Sequence, residues 1–232
     1  VILVVAGREE RASIKAVIDL FDPKEGYPEI IFMPLNFSIS DYASVLRRLE
    51  NKTIALLAVS IMEESLELRC AYSVAKHFVT SQANKAKISP EICVIYSERS
   101  RTIKEDAFEN EYTKIEVSHR TDPSYLANTD PVIFILKLMG ADVEAYIRGF
   151  YDCVSAPEWD TNLPLIAYRM IEFENKGIIV ESWQKEYEEI AKWFARPDIR
   201  ASHRQIQMPS PSLDNECLRI CIGGREAYED LM

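Results

Sequence analysis

Short apolar runs recur along the first hundred residues, and each is followed by a stretch with helical spacing. Ile2–Ala6, Ile30–Met33, Thr53–Val59 and Ile92–Tyr96 are apolar at nearly every position. A strand with one wet face alternates apolar and polar residues, whereas a strand buried on both faces does not. After the first run, Ile14, Val17, Ile18 and Phe21 recur at helical spacing, predicting a helix over 8–21 that Asp22-Pro23 closes. Ser40 or Asp41 caps a second helix ending at Leu49. The spacing predicts further helices over 62–79 and 103–111, and a marginal fifth strand over 113–117. Asp130-Pro131 marks a helix start, since proline suits the first helical position. That helix runs towards Tyr151 with a bend expected at Gly140.

Strand–helix alternation of this kind demands an α/β fold: a doubly wound, mainly parallel five-stranded sheet, Rossmann-like, over residues 1–153. A smaller α/β appendage is expected over 154–232. Pro157, Asp160 and Pro164 interrupt periodicity between the two. In the appendage, residues 163–173 read equally as helix or strand. Strands are expected over 177–180 and 218–222, a helix over 183–194 and a linker over 197–213. Leu3–Glu9 and Arg219–Glu226 share a grammar of apolar strand, glycine and Arg-Glu helix start. Residues 217–232 are therefore a candidate opening of a second βα domain. Strand order is undetermined, because parallel topologies share one pattern.

The chain has 232 residues, 47% hydrophobic and 28% charged, with a formal net charge of −10. Patterned apolar content on this scale excludes a disordered chain. The acidic balance argues against broad nucleic-acid binding, which needs clustered Lys and Arg. No apolar run approaches the roughly 20 residues that span a bilayer. Val1 opens directly into a strand pattern, so no secretory leader is expected, and the missing initiator Met suggests a processed or excised chain. Cys70, Cys93, Cys153, Cys217 and Cys221 are odd in number and scattered, which reads as reduced thiols and a cytoplasmic setting. No Cys/His cluster has zinc-ligand spacing.

Doubly wound sheets bind ligands at the carboxyl ends of their strands. The loops that matter are then 7–11, 34–40, 60–65 and 97–102. Gly7, Arg8 and Arg11 stand at a helix N-terminus, where backbone N–H groups and the dipole favour anions; Glu9 and Glu10 fit an ordinary helix start equally well. Arg99 and Arg101, with Ser100 and Thr102, form either a phosphate or carboxylate grip or a solvated loop. Asn36, Ser60 and Glu63 complete the candidate ligand set. Three other constellations stand apart. Asp160, Glu174 and Lys176 follow the outline of a Mg²⁺-dependent nuclease, with two acids for metal and a Lys for the attacking water. His119 and Cys153 are a candidate dyad, although Asp152 and Glu158 would raise the thiol pKa. Arg200, His203 and Arg204 form a local cationic cluster. Trp159, Trp183 and Trp193 are expected to pack the appendage.

The opening strand Ile2–Gly7, the helix Ser13–Phe21 and the strand Glu29–Met33 resemble the start of the Rossmann-like regulatory domains on the cytosolic side of potassium channels and cation transporters, the family that regulates potassium conductance. The resemblance implies a ligand-sensing regulatory module for a channel, transporter or other partner. Its ligand would be a nucleotide or an ion, a divalent cation among them, and the chain would work as a homo-oligomer or within a larger assembly. Nucleotide-binding members resemble G-x-G-x-x-G proteins, but here Gly7 stands alone and Pro34-Leu35-Asn36 replaces the acid expected after the second strand. Dinucleotide binding of that kind is not expected. The rival readings are the nuclease, sensing a nucleotide through the sheet domain, and a non-catalytic interaction scaffold.

Overall fold

Burial on both faces is what the apolar runs become. In a computed structural model, described here for residues 1–118, 120–155, 178–182, 185–194, 201–205 and 218–222, all five residues of β1 (Ile2–Ala6) are buried. The other strands of its sheet are β2 (Ile30–Phe32), β3 (Ala55–Ser60), β4 (Glu91–Tyr96) and β5 (Thr113–Glu116). All pairings are parallel, in the order β2-β1-β3-β4-β5. Val4 stands opposite Phe32 on one side and Leu57 on the other, so β1 is an inner strand.

Alternation along each strand sends side chains to two cores. Leu3, Val5, Leu56, Ala58 and Val94 join Leu49, Leu68, Tyr72, Val79 and Ile103 in one cluster. Those helical partners lie on or at the end of α2 (Ile39–Leu49), α3 (Leu66–Ala86) and α4 (Thr102–Glu109). Val4, Leu57, Val59 and Ile95 are buried outside that cluster, as are Ile14 of α1 (Arg8–Ile18) and Ile135 of α5 (Asp130–Leu138). Helices therefore cover both faces, as a doubly wound sheet requires. Each fully buried Leu or Ile contributes about 1.5–3 kcal/mol, which is why the strands tolerate no polar interruption.

Two helices differ from expectation for identifiable reasons. The helix expected from residue 62 starts at Leu66, because Ser65 caps it with a bond from Leu68 N–H at 3.2 Å. The helix expected to bend at Gly140 is broken there. Gly140 takes φ +78°, and Ala141 N–H closes back on Leu136 C=O at 2.9 Å. That is the left-handed C-terminal turn that glycine accommodates. A Cβ at Gly140 would also stand 2.7 Å from the Tyr27 ring. A new helix, α6 (Val143–Ser155), begins after Asp142, whose carboxylate accepts from Ala145 N–H.

By contact, the chain forms two compact units, Val1–Ile14 with Pro23–Ala141 and Lys15–Asp22 with Asp142–Met232. Residue 153, expected to close the first domain, falls inside α6. In the second unit, Tyr146 meets Phe21 and Phe150 edge-on at 5.9 and 5.2 Å. This unit has its own parallel sheet: β6 (Ile178–Ser182), β7 (Ala201–Gln205) and β8 (Leu218–Ile222), in the order β7-β6-β8. A short helix, α7 (Glu188–Phe194), follows β6, with Ala191 buried and Trp193 half-buried. Strand β7 lies where a linker was expected. The order repeats β2-β1-β3, with the first strand in the centre. In that order β6 holds the place of β1 and β8 the place of β3. Among the described residues no helix is long and apolar enough to cross a membrane.

Candidate functional site

In the order β2-β1-β3-β4-β5 the chain reverses direction across the sheet between β1 and β3, and the crevice at their carboxyl ends is where such sheets hold ligands. Two short segments meet there: Ala6-Gly7 running straight into α1, and Ser60-Ile61-Met62 running towards α3. A cleft of about 420 Å³ opens between them. Gly7, Arg8 and Glu63, expected in the ligand set, line it together. Glu9 and Glu67 add carboxylates, and Leu35, Met62 and Leu68 give it an apolar wall.

The chain's own side chain spans the floor of this crevice. Glu10 is the third residue of α1, and its carboxylate folds back over Gly7. A Cβ on residue 7 would stand 2.2 Å from Glu10 Oε2. Oε1 accepts a hydrogen bond from Ile61 N–H at 3.2 Å, tying the end of β1 to the end of β3. The residue is 4% exposed. Burial raises its pKa above the ordinary glutamate value of 4.5; backbone N–H bonds from Glu10, Ile61 and Met62 oppose the rise, and the nearby charge of Glu9 adds to it.

A second buried glutamate does related work one strand over. Glu64 Oε1 accepts from Ser100 Oγ at 2.7 Å, Arg101 N–H at 2.9 Å, Ile103 N–H at 3.2 Å and Ser60 Oγ at 3.3 Å. Its Oε2 faces Thr102 N–H at 3.4 Å. Arg101, the residue before α4, makes no side-chain cap of its own. Glu64 therefore caps α4 from the β3–α3 loop. Burial acts to raise its pKa, but the bonds from Ser100 and the backbone outweigh it and hold the carboxyl below 4.5. The other two helix starts at this edge are closed by Ser38, whose Oγ accepts from Asp41 N–H, and by Ser65.

The remaining expected ligand residues are dispersed. Arg11 turns to β2, donating to Met33 C=O at 3.1 Å and stacking over Phe32 at 5.5 Å. Asn36 belongs to the start of α2, donating to Asp41 at 2.7 Å and accepting from Ser38 N–H. Ser60 is buried in the Glu64 network. Arg99 leans on Met62 Sδ at 3.2 Å, and Arg101 is exposed on the rim of α4. Asp160, Glu174, Lys176 and His119 lie outside the described residues, as does the side chain of Cys153. Among the described residues no group of three or more His, Cys, Asp or Glu is placed to hold a metal ion. A second cleft, of about 370 Å³, lies at the amino ends of β3 and β4, away from the switch point.

With this geometry in view, the likeness to known proteins is one of architecture. No protein-family model and no curated protein matches the sequence. Among solved structures the chain is similar to a hypothetical protein from Thermus thermophilus, with TM-score 0.71 and 13% identity over 98% of this chain and 55% of that one. It is also similar to a glucose-6-phosphate isomerase from Chlamydia trachomatis, with TM-score 0.63 and 15% identity over 98% of this chain and 45% of that one. The chain spans about half the length of each. At such identities the likeness shows the fold, a doubly wound Rossmann-like α/β sheet, and function must be argued from the site.

Glu64 is not singled out by the sequence, and Glu10 is read there only as part of an ordinary helix start. An acid in the first turn of a helix looks like ordinary capping. The one available signal was spacing: Glu10 stands three residues after Gly7, where a side chain can reach back to the helix start.

Proposed function

We propose that this chain is a ligand-sensing regulatory module whose ligand seats in the cleft between β1 and β3. The ligand is a small molecule rich in hydrogen-bond donors, a sugar, other polyol or amine. The observation that carries this reading is the composition of the cleft at the switch point. Glu9, Glu63 and Glu67 present carboxylates, which accept from hydroxyl or ammonium groups, and Arg8 is the cation among its lining residues. Leu35, Met62 and Leu68 offer an apolar face for a carbon skeleton. A nucleotide, one of the two ligands the resemblance implies beside an ion, would have to bring its phosphates to a crevice that already holds a carboxylate.

The regulatory reading asks of Glu9, Glu63 and Glu67 only that they bind; the one hydroxyl of the lining, Ser65 Oγ, is engaged in capping α3. Ligand binding at the junction of two inner strands would bias how the chain meets a partner, a channel or transporter in the resemblance drawn above. Thermal unfolding of the purified chain with a panel of unphosphorylated sugars, polyols and polyamines tests the reading. A ligand at 100 times its Kd should add about 2.7 kcal/mol, and Glu63→Gln or Arg8→Ala should weaken the response. A panel that leaves the melting temperature unmoved overturns it.

A further inference from the structure

We propose that Glu10 is the specificity-determining residue of this cleft: its carboxylate fills the seat that a ligand's anionic group would take, so the cleft admits uncharged or cationic ligands and rejects phosphorylated and carboxylated ones. This rests on the reading of the cleft as the ligand site and says which members of a ligand class it accepts.

The geometry is that of a built anion seat with an internal tenant. At a switch point, an anion is held by backbone N–H groups where the first strand turns into its helix, and close approach requires a residue without Cβ. Gly7 provides that opening, and Glu10 Oε2 occupies it, 2.2 Å from where a Cβ would stand. Ile61 N–H, at the end of the neighbouring strand, would be a second donor to an anion, and it already donates to Glu10 Oε1. The glutamate is more than nine-tenths buried, so it is not a surface charge that swings aside without cost. Glu9, Glu63 and Glu67 around the same cleft add like-charge repulsion against any anion, with Arg8 opposing them. Burial disfavours the charged form of Glu10, so the seat is filled at an electrostatic cost that an ordinary solvent-facing cap would not carry.

Binding of inorganic phosphate to the full chain, followed by calorimetry, separates the seat from mere charge. Three substitutions each remove one carboxyl group. Glu10→Ala empties the seat, Glu10→Gln keeps it filled without charge, and Glu9→Ala removes an exposed neighbour. The expected result is a gain of about tenfold or more in phosphate affinity for Glu10→Ala, equivalent to about 1.4 kcal/mol, with no comparable gain for the other two. Glu10→Ser serves the same purpose if Glu10→Ala does not fold. Equal gains in all three would show a general charge effect and overturn the proposal, as would wild-type phosphate binding as tight as that of Glu10→Ala. The sugar and amine panel on the wild type reads the other proposal independently. Silence there with a phosphate gain in Glu10→Ala retires the ligand class and keeps the seat; a sugar response without the phosphate gain does the reverse.

Discussion

Glu10 and Glu64 are the same residue type, both buried near a helix start, yet their surroundings drive their protons in opposite directions. Glu64 is met by five hydrogen-bond donors and held below 4.5. Its stabilisation is complete above 4.5 and is lost as pH falls through its lower folded value. Glu10 is held above 4.5. Its contribution is complete below 4.5 and is lost as pH rises through its higher folded value. Glu10→Gln should therefore be more stable than wild type at pH 7, with the gap closing as pH approaches 4.5. Glu64→Gln should be less stable at pH 7 by about 1–2 kcal/mol, with its gap closing only below 4.5. Glu64→Ala, which orphans the donors of α4, should cost about 3 kcal/mol. Urea unfolding across this pH range reads all three. Neither residue was legible from sequence as more than a helix-start acid, because whether a carboxylate turns inward is decided by the loop it meets. Gly7, Arg8 and Glu63 were legible, since a strand's end fixes where its loop must lie.

Between elements, one polar cluster pins α3 to α4 among otherwise apolar contacts. Tyr72 donates to Asp106 at 2.6 Å, Lys76 meets the same carboxylate at 2.5 Å, and the Lys76 ammonium lies 5.5 Å from the centre of the Tyr112 ring. Tyr72 is buried, and burial first, then the Asp106 bond and charge, drive its pKa well above 10. Asp106→Ala should cost about 2 kcal/mol, because it strands a buried hydroxyl. It should also bring the Tyr72 titration down towards 10, visible in the ultraviolet as phenolate. A stability loss without any change in tyrosine titration would place the cost elsewhere. At this scale the apolar runs made the strands of the first sheet readable to within one or two residues, since unbroken hydrophobicity leaves few other places to go. The failures have local causes. Strand β7 is Ala-Ser-His-Arg-Gln, whose composition hides its pairing with β6. The start of α3 was misplaced because Glu64 is drawn away to cap α4.

For the molecule as a whole, the sequence left strand order open, and the order decides where a site can be. Were the strands stacked in chain order, β1 would be an edge and β2 an inner strand. In the order β2-β1-β3-β4-β5, β1 is hydrogen-bonded on both sides and β2 is an edge of three residues. Only an arrangement that sets β1 beside β3 lets Glu10 reach Ile61 N–H and creates a switch point there. Native-state hydrogen exchange distinguishes the two arrangements. Amides of β1, β3 and β4 should exchange slowest, near the global unfolding limit. Those of β2 and of the mostly exposed β5 should exchange faster through local opening. The Ile61 amide is the informative one. It lies beyond the last residue of β3, where an unpaired amide would exchange readily, yet its acceptor is a buried carboxylate. It should be protected in the wild type and lose that protection in Glu10→Ala while the β1 amides stay slow. Fast exchange in β1 with slow exchange in β2 would reverse the order and remove the switch point from the crevice between β1 and β3.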